Sequence, residues 1–493
     1  MPDWPARKKR VAPHRLNRAG ACWILFVLLG VAALSSMMPG GLSAAVEDRK
    51  GEKQPPAPLT ISLEQAIRIA MENNRTLRNA ALDVTSSDLS LQTRESEFDV
   101  KITPQGATRY SSATDNSYWQ AGARVSKKLA QGSTLSVTPL FGESGGSGNS
   151  EVDVALTVPL LQGAGSDYAL DGLYSSLYSN KREKLSFVQQ QTDTILKTVS
   201  AVYGCIQTQQ QITFLEKQLV ELKRHLSLAR IKEKSGIIGA MDLYRAEIRI
   251  QNVEEELTST REQLANNADE VKDLLAVSQQ QAIIVTAPVA YTPVEIGLEE
   301  AQRIAVSNRI ELVLSAMQVR ETERRVAVAK NRLLPELDLR LGYNNYRDDD
   351  YDVLSEERWT VALSSDTDLL RTTERNEYAR SKIELQQVQL NQQGEEERII
   401  QDVRFRLNSL EKLQERIRIR DEQARQAMGK LRLAESKFRH SLANNFDLLE
   451  AQTEMQQAAT DHMVETINYI IGTYRLRSSL GTLLDTKSGA AVK

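Results

Sequence analysis

The sequence predicts a mainly α-helical chain that carries part of a membrane β-barrel, built from two copies of one helix–strand–helix unit. Three observations predict it. The chain is similar to itself, its helical tracts are longer than a globular core can cover, and segments of about ten residues alternate aliphatic with polar side chains.

The repeat opens with LTISLEQAIRIAMENN near residue 59 and returns as VEIGLEEAQRIAVSN near residue 294. At an offset of about 235, Leu63, Glu64, Ala66, Ile69, Ala70 and Asn73 meet Leu298, Glu299, Ala301, Ile304, Ala305 and Asn308. A second match has an offset of about 205: Ala229, Asp242, Leu243 and Ala246 face Ala434, Asp447, Leu448 and Ala451. The repeats are expected over 59–290 and 291–484, with 485–493 as a tail.

Residues 1–45 read as a secretory signal peptide. Arg7, Lys8, Lys9, Arg10, Arg15 and Arg18 precede the apolar run ACWILFVLLGVAAL, and small residues follow at 42–45. An uncleaved anchor is the alternative. Six basic residues and one acid leave with this segment, so the net charge moves from −3 to −8, which argues against a nucleic-acid partner, since that would want a basic stripe. Only Cys205 survives, and one cysteine closes no internal disulfide. The polar, Pro-rich stretch 46–58 is a disordered tether.

Helical hairpins are expected over about 168–277 and 371–480, turning near 235–240 and 441–446. From Tyr168 to Lys234 there is no proline, and apolar residues recur at steps of three and four, as in Ile195, Val199, Val202 and Ile206. Such a tract reaches on the order of 100 Å, so the packing is antiparallel coiled coil.

The strands are expected at about 98–162 in the first repeat and at about 336–346 and 357–366 in the second. Leu337, Leu339, Leu341 and Tyr343 alternate with charged residues, as do Trp359, Val361 and Leu363 with polar ones. In the first repeat Val152, Val154, Leu156 and Val158 show the same period. These side chains are the candidate lipid face, since a transmembrane barrel strand is apolar outward and polar inward. The half-buried strand of a soluble sheet alternates likewise. A hairpin at 118–142 fits either the barrel wall or an extracellular loop. One chain has too few strands to close a barrel, so the barrel is shared: three copies of four strands would close at twelve.

Taken together, these residues resemble the TolC-like outer-membrane efflux proteins, from Leu59 to about Leu484. SLEQAIRIAMENN and GLEEAQRIAVSN open the halves, VPLLQGAG (158–165) leads from strand to helix, FDLLEAQ (446–452) begins the last helix, and RLRSSLGTLL (475–484) ends it. The resemblance implies a homotrimer in the outer membrane of a Gram-negative bacterium, with four strands per chain of a twelve-stranded barrel on a long periplasmic α-barrel. It also implies an exit duct for drug efflux or type I secretion. The partners would be a periplasmic adaptor (membrane fusion) protein, an inner-membrane pump or ABC transporter, and outer-membrane lipid.

By the same resemblance, Asp447 and Glu450 line the periplasmic constriction, where three copies would form a carboxylate ring that attracts cations. Asp447 is also suited to cap the helix beginning near Leu448. The tips that would dock the adaptor contain Gly236, Asp242, Ser441, Asn444 and Asn445, with Asp242 and Gly236 also readable as helix-end residues. The sequence departs from the family at Phe438 and Ala443, where a tyrosine and an arginine close the resting duct. Arg439, His440, Asn444 and Asn445 are the local substitutes.

No phosphate loop, metal-spaced cluster or nucleophile–base pair occurs, so no enzyme activity and no cofactor are expected. The competing class is a periplasmic coiled-coil scaffold or adaptor without a pore.

Overall fold

Two helices of 64 and 68 residues set the frame: Asp171–Lys234 (α4) and Thr372–Arg439 (α8). Each is about 100 Å long. In this computed structural model the described residues are 59–111, 116–144, 147–235, 239–348, 355–440, 442 and 445–484. They fall in one unit, Pro56–Lys493; the segments expected to be signal peptide, tether and tail lie outside them.

Each repeat opens with a short helix whose two alanines are closed off from solvent. Leu63–Asn73 (α1) buries Ala66 and Ala70, and Leu298–Asn308 (α6) buries Ala301 and Ala305. Small side chains here let the short helix lie close to the long one. Ser62 and Gln65 form a capping box that starts α1. Arg75–Glu95 (α2) and Ile310–Asn331 (α7) follow, packing on α4 and α8 respectively.

The return arms Ala240–Leu275 (α5) and Asn445–Ser479 (α9) are about half as long as α4 and α8. The geometry follows directly: α5 covers α4 toward one end and α2 covers it toward the other, while α9 and α7 do the same for α8. Four long tracts per chain result. A one-turn helix, Ser166–Ala169 (α3), introduces α4.

The strands are Leu59–Ser62 (β1), Lys101–Ser111 (β2), Asn116–Lys128 (β3), Thr134–Ser144 (β4), Ser147–Pro159 (β5), Ile283–Thr286 (β6), Asp338–Asp348 (β7) and Ser355–Ser364 (β8). β1 pairs in parallel with β6. The others form one open sheet in the order β2-β3-β4-β5-β7-β8, every neighbouring pair antiparallel.

Six strands, instead of the expected four, therefore belong to the large sheet. The 118–142 hairpin is the reason: β3 and β4 pair along their length with β2 and β5, which puts the hairpin inside the sheet. Among the described residues no closed sheet forms within one chain, and β2 and β8 are the edges.

The main core joins the two repeats around Val199, Val202, Tyr203, Leu275, Ile467, Leu483 and Leu484. Each such side chain stabilises the fold by roughly 1.5–3 kcal/mol on burial. Tyr203 of this core and Tyr469 of the second core tie down the inter-repeat connector: the Tyr203 hydroxyl donates to the Pro288 carbonyl (3.1 Å), and the Tyr469 hydroxyl accepts from the Val294 N–H (3.0 Å). Burial pushes the Tyr203 hydroxyl up to about 12, with Tyr474 adding to it.

Candidate functional site

Directly opposed residues of an antiparallel pair point to the same side of a sheet. Val152, Val154, Leu156 and Val158 of β5 oppose Asn345, Tyr343, Leu341 and Leu339 of β7; Tyr343, Leu341 and Leu339 oppose Trp359, Val361 and Leu363 of β8. Leu337 stands just before β7, and its carbonyl accepts from Leu160 N–H (2.8 Å), extending the ladder by one step. The candidate lipid-face residues thus share one face. Trp359 is 78% exposed and Val361 75%. The Tyr343 and Trp359 rings meet at a tilt of 50°, centres 4.7 Å apart.

The hairpin continues this face. Leu135, Val137 and Pro139 of β4 oppose Leu156, Val154 and Val152, and Val125 of β3 opposes both Val137 and Ile102 of β2. The other face carries Thr103, Arg124, Ser136, Thr138, Asp153, Arg340, Asn344 and Arg358. One side of the sheet is suited to hydrocarbon and the other to water.

Between sheet and helices, VPLLQGAG turns the chain with Gly163 and Gly165 in the left-handed region, at φ 86° and 102°. Glycine adopts that conformation without penalty from a Cβ. Asn331 at the end of α7 holds the turn, accepting from Gly163 N–H (2.9 Å) and donating to the Ala164 carbonyl (3.3 Å). Beside it, Arg324 pairs with the buried Glu321 (2.7 Å) and with Asp171 of α4. Burial alone would weaken Arg324's hold on its proton, but its bonds to Glu321 and Asp171 outweigh that. These positioning residues escaped the sequence reading because Gly163 and Asp171, which they hold, are more than 150 residues away.

At the opposite end stand the tips. Asp447 and Glu450 are both exposed, on the first two turns of α9. The helix starts at Asn445, so Asp447 lies in the first turn and not at the cap, where its charge still favours the helix N-terminus. Glu450 has Lys430 of α8 at 3.7 Å, while Lys430 bonds Glu454 at 2.7 Å. The bond to Glu454 leads in raising the Lys430 pKa. Glu450 is therefore partly compensated by a cation that the sequence did not single out.

Gly236, Ser441, Ala443 and Asn444 lie outside the described residues, and Asp242 and Asn445 are described only as helical backbone. Arg439 and His440 end α8 and are exposed. Phe438 packs edge-on against His225 of α4, ring centres 6.2 Å apart. The Gln452 amide donates to His225 Nε2 (3.3 Å), and Arg249 of α5 reaches Thr453 of α9 (3.4 Å). Here the two hairpins are held by an aromatic contact and by hydrogen bonds to Gln452 and Thr453.

Comparison with known proteins agrees with this architecture. The family model described as outer membrane efflux protein matches residues 303–482, from α6 to just beyond α9. No protein of curated function matches the sequence. Among solved structures, the outer-membrane channel OprN is 14% identical over 85% of this chain and 90% of its own, with a TM-score of 0.67. VceC from Vibrio cholerae is 12% identical over 85% and 96%, TM-score 0.65. The open-state MtrE channel of Neisseria gonorrhoeae is 15% identical over 85% and 88%, TM-score 0.60. Fold and second-repeat sequence agree: the chain has the fold of these outer-membrane channels and carries the outer membrane efflux protein pattern over residues 303–482.

Proposed function

We propose that the chain is an outer-membrane exit duct. Three copies close a β-barrel in the lipid and an α-barrel in the periplasm, and cargo is received at the helical tips. The observation that carries this reading is a sheet apolar on one face and polar on the other that runs directly into helices of 64 and 68 residues. A soluble scaffold has no use for exposed Trp359, Val361 and Leu363 side by side.

The cargo comes from an inner-membrane pump or ABC transporter through a periplasmic adaptor, in efflux or type I secretion. Supporting an adaptor are the large apolar side chains exposed near the tips: Met241, Tyr244, Leu442 and Phe446. The duct itself does no chemistry. Its selectivity arises where carboxylates of Asp447 and Glu450 from three copies approach the axis.

Single-channel recording of the mature protein in planar bilayers tests the reading. Cation-selective openings are expected, with selectivity reduced several-fold in Asp447→Ala/Glu450→Ala. Protein that stays soluble without detergent and never inserts would sink the duct in favour of the scaffold.

A further inference from the structure

The main helices and the large-sheet strands of the two repeats correspond one to one except at one place. β2 and β5 of the first repeat match β7 and β8 of the second, while β3 and β4 have no counterpart. The sequence records the same asymmetry: the repeat offset falls from about 235 before the strands to about 205 after them. That difference of about 30 is the length of the segment from Asn116 to Ser144.

This extra hairpin is built into the sheet. β2 and β3 pair from Lys101↔Ser126 to Ser111↔Asn116, and β4 and β5 from Thr134↔Thr157 to Ser144↔Ser147. Five of its large apolar residues join the apolar face, Trp119, Val125, Leu135, Val137 and Phe141, while Tyr118 and Leu140 lie on the other. A solvated loop has no reason to keep that phase over two strands.

Its turn is also anchored where sheet meets helix. Gly132, at φ 98°, sits so close to the Gly163 carbonyl that a Cβ would come within 2.6 Å of it. Gly165 N–H donates to the Gln131 carbonyl (3.2 Å), and the Lys128 ammonium lies 5.2 Å over the Phe98 ring.

We propose that the hairpin widens the outer-membrane barrel, so that three copies close at eighteen strands and not twelve, with β8 of each copy pairing to β2 of the next. The inference rests on the exit-duct reading and adds its bore. An even number of strands per copy leaves the two edges running in opposite directions, so β8 meets β2 antiparallel and the alternation continues around the ring. At a strand spacing of about 4.8 Å and a tilt of about 40°, twelve strands close at a diameter of about 24 Å and eighteen at about 36 Å. The wider ring is the size class that holds an open aqueous channel. The occupant of each edge is a second copy of this chain, because lipid leaves no backbone edge unpaired.

Nitroxide labels in the full mature trimer in lipid test this in two ways. Cys205 is buried, with its thiol pushed up to about 11 by burial, so it is left in place. With Ala155→Cys, on the polar face of β5, the three equivalent backbone positions are expected about 31 Å apart for eighteen strands, against about 21 Å for twelve. Along β3, labels at Ala123 and Val125 should be reached by oxygen from the lipid, and those at Arg124 and Ser126 by a water-soluble nickel chelate. A distance near 21 Å, or a β3 that is wet on both sides, overturns the wider barrel and leaves the duct standing. A protein that neither inserts nor trimerises overturns both.

Discussion

At the scale of single residues, His225 is the informative group. Its Nδ1 has no hydrogen-bond partner among the described residues, and Phe438 and Gln452 meet its ring. Burial is the main cause that lowers its pKa; Glu221 and Glu435 oppose this and Arg224 adds to it. An unfolded histidine, near 6.5, then binds protons more readily than the folded one. Stability from this contact is full above that value and is lost as pH falls through it. Melting temperatures of the detergent-solubilised protein should therefore drop from pH 7 to pH 5, with a shallower slope in His225→Gln. An unchanged slope would remove His225 from the account. Lys430 gives the opposite kind of test. Removing it in Lys430→Ala leaves Glu450 and Glu454 uncompensated, so cation selectivity should rise about two- to threefold in bilayer recordings. The sequence made Asp447 and Glu450 visible through their place after the second turn. It hid Lys430, Gln452 and His225, because their contacts depend on how one hairpin registers against the other.

Elements were more legible than sites. Helix periodicity placed both long hairpins, and the two-residue period placed β5, β7 and β8, because each pattern comes from the element's own geometry. The strand number was not legible that way. β3 reads YWQAGARVSKK, with Ala121 and Ala123 at positions of the face where β7 and β8 carry aliphatics and aromatics, so its apolar face is muted. Gly122, on the other face, has a steric reason: a Cβ there would run into the Pro139 carbonyl of β4. Neighbouring residues of β5 should then respond very differently to charge. Leu156→Arg, on the apolar face, is expected to destabilise the inserted protein by about 2–4 kcal/mol, and Thr157→Arg, on the polar face, by well under half of that. Urea unfolding from lipid vesicles measures both, and equal penalties would mean that the assigned faces are wrong.

For the molecule as a whole, the two repeats meet in a belt between sheet and tips. Here β1 pairs with β6, and Gly481, at φ 68°, turns the chain after α9 against Asn308 at the end of α6. A Cβ at Gly481 would lie 2.9 Å from the Asn308 carbonyl carbon and oxygen. Gly481→Ala should cost about 1–3 kcal/mol, from the left-handed backbone and the clash together. Calorimetry checks this, and a loss below about 0.5 kcal/mol would show that the belt yields. The same belt explains how such a chain can be doubled at all. The first repeat ends where it began, since β6 lies beside β1, and the second ends beside its own first helix. A unit whose entrance and exit adjoin can be copied in tandem without moving either copy, and one copy can then acquire a hairpin while the other keeps the ancestral plan. The asymmetry of the sheet is thus the mark of a duplication followed by divergence in a single half.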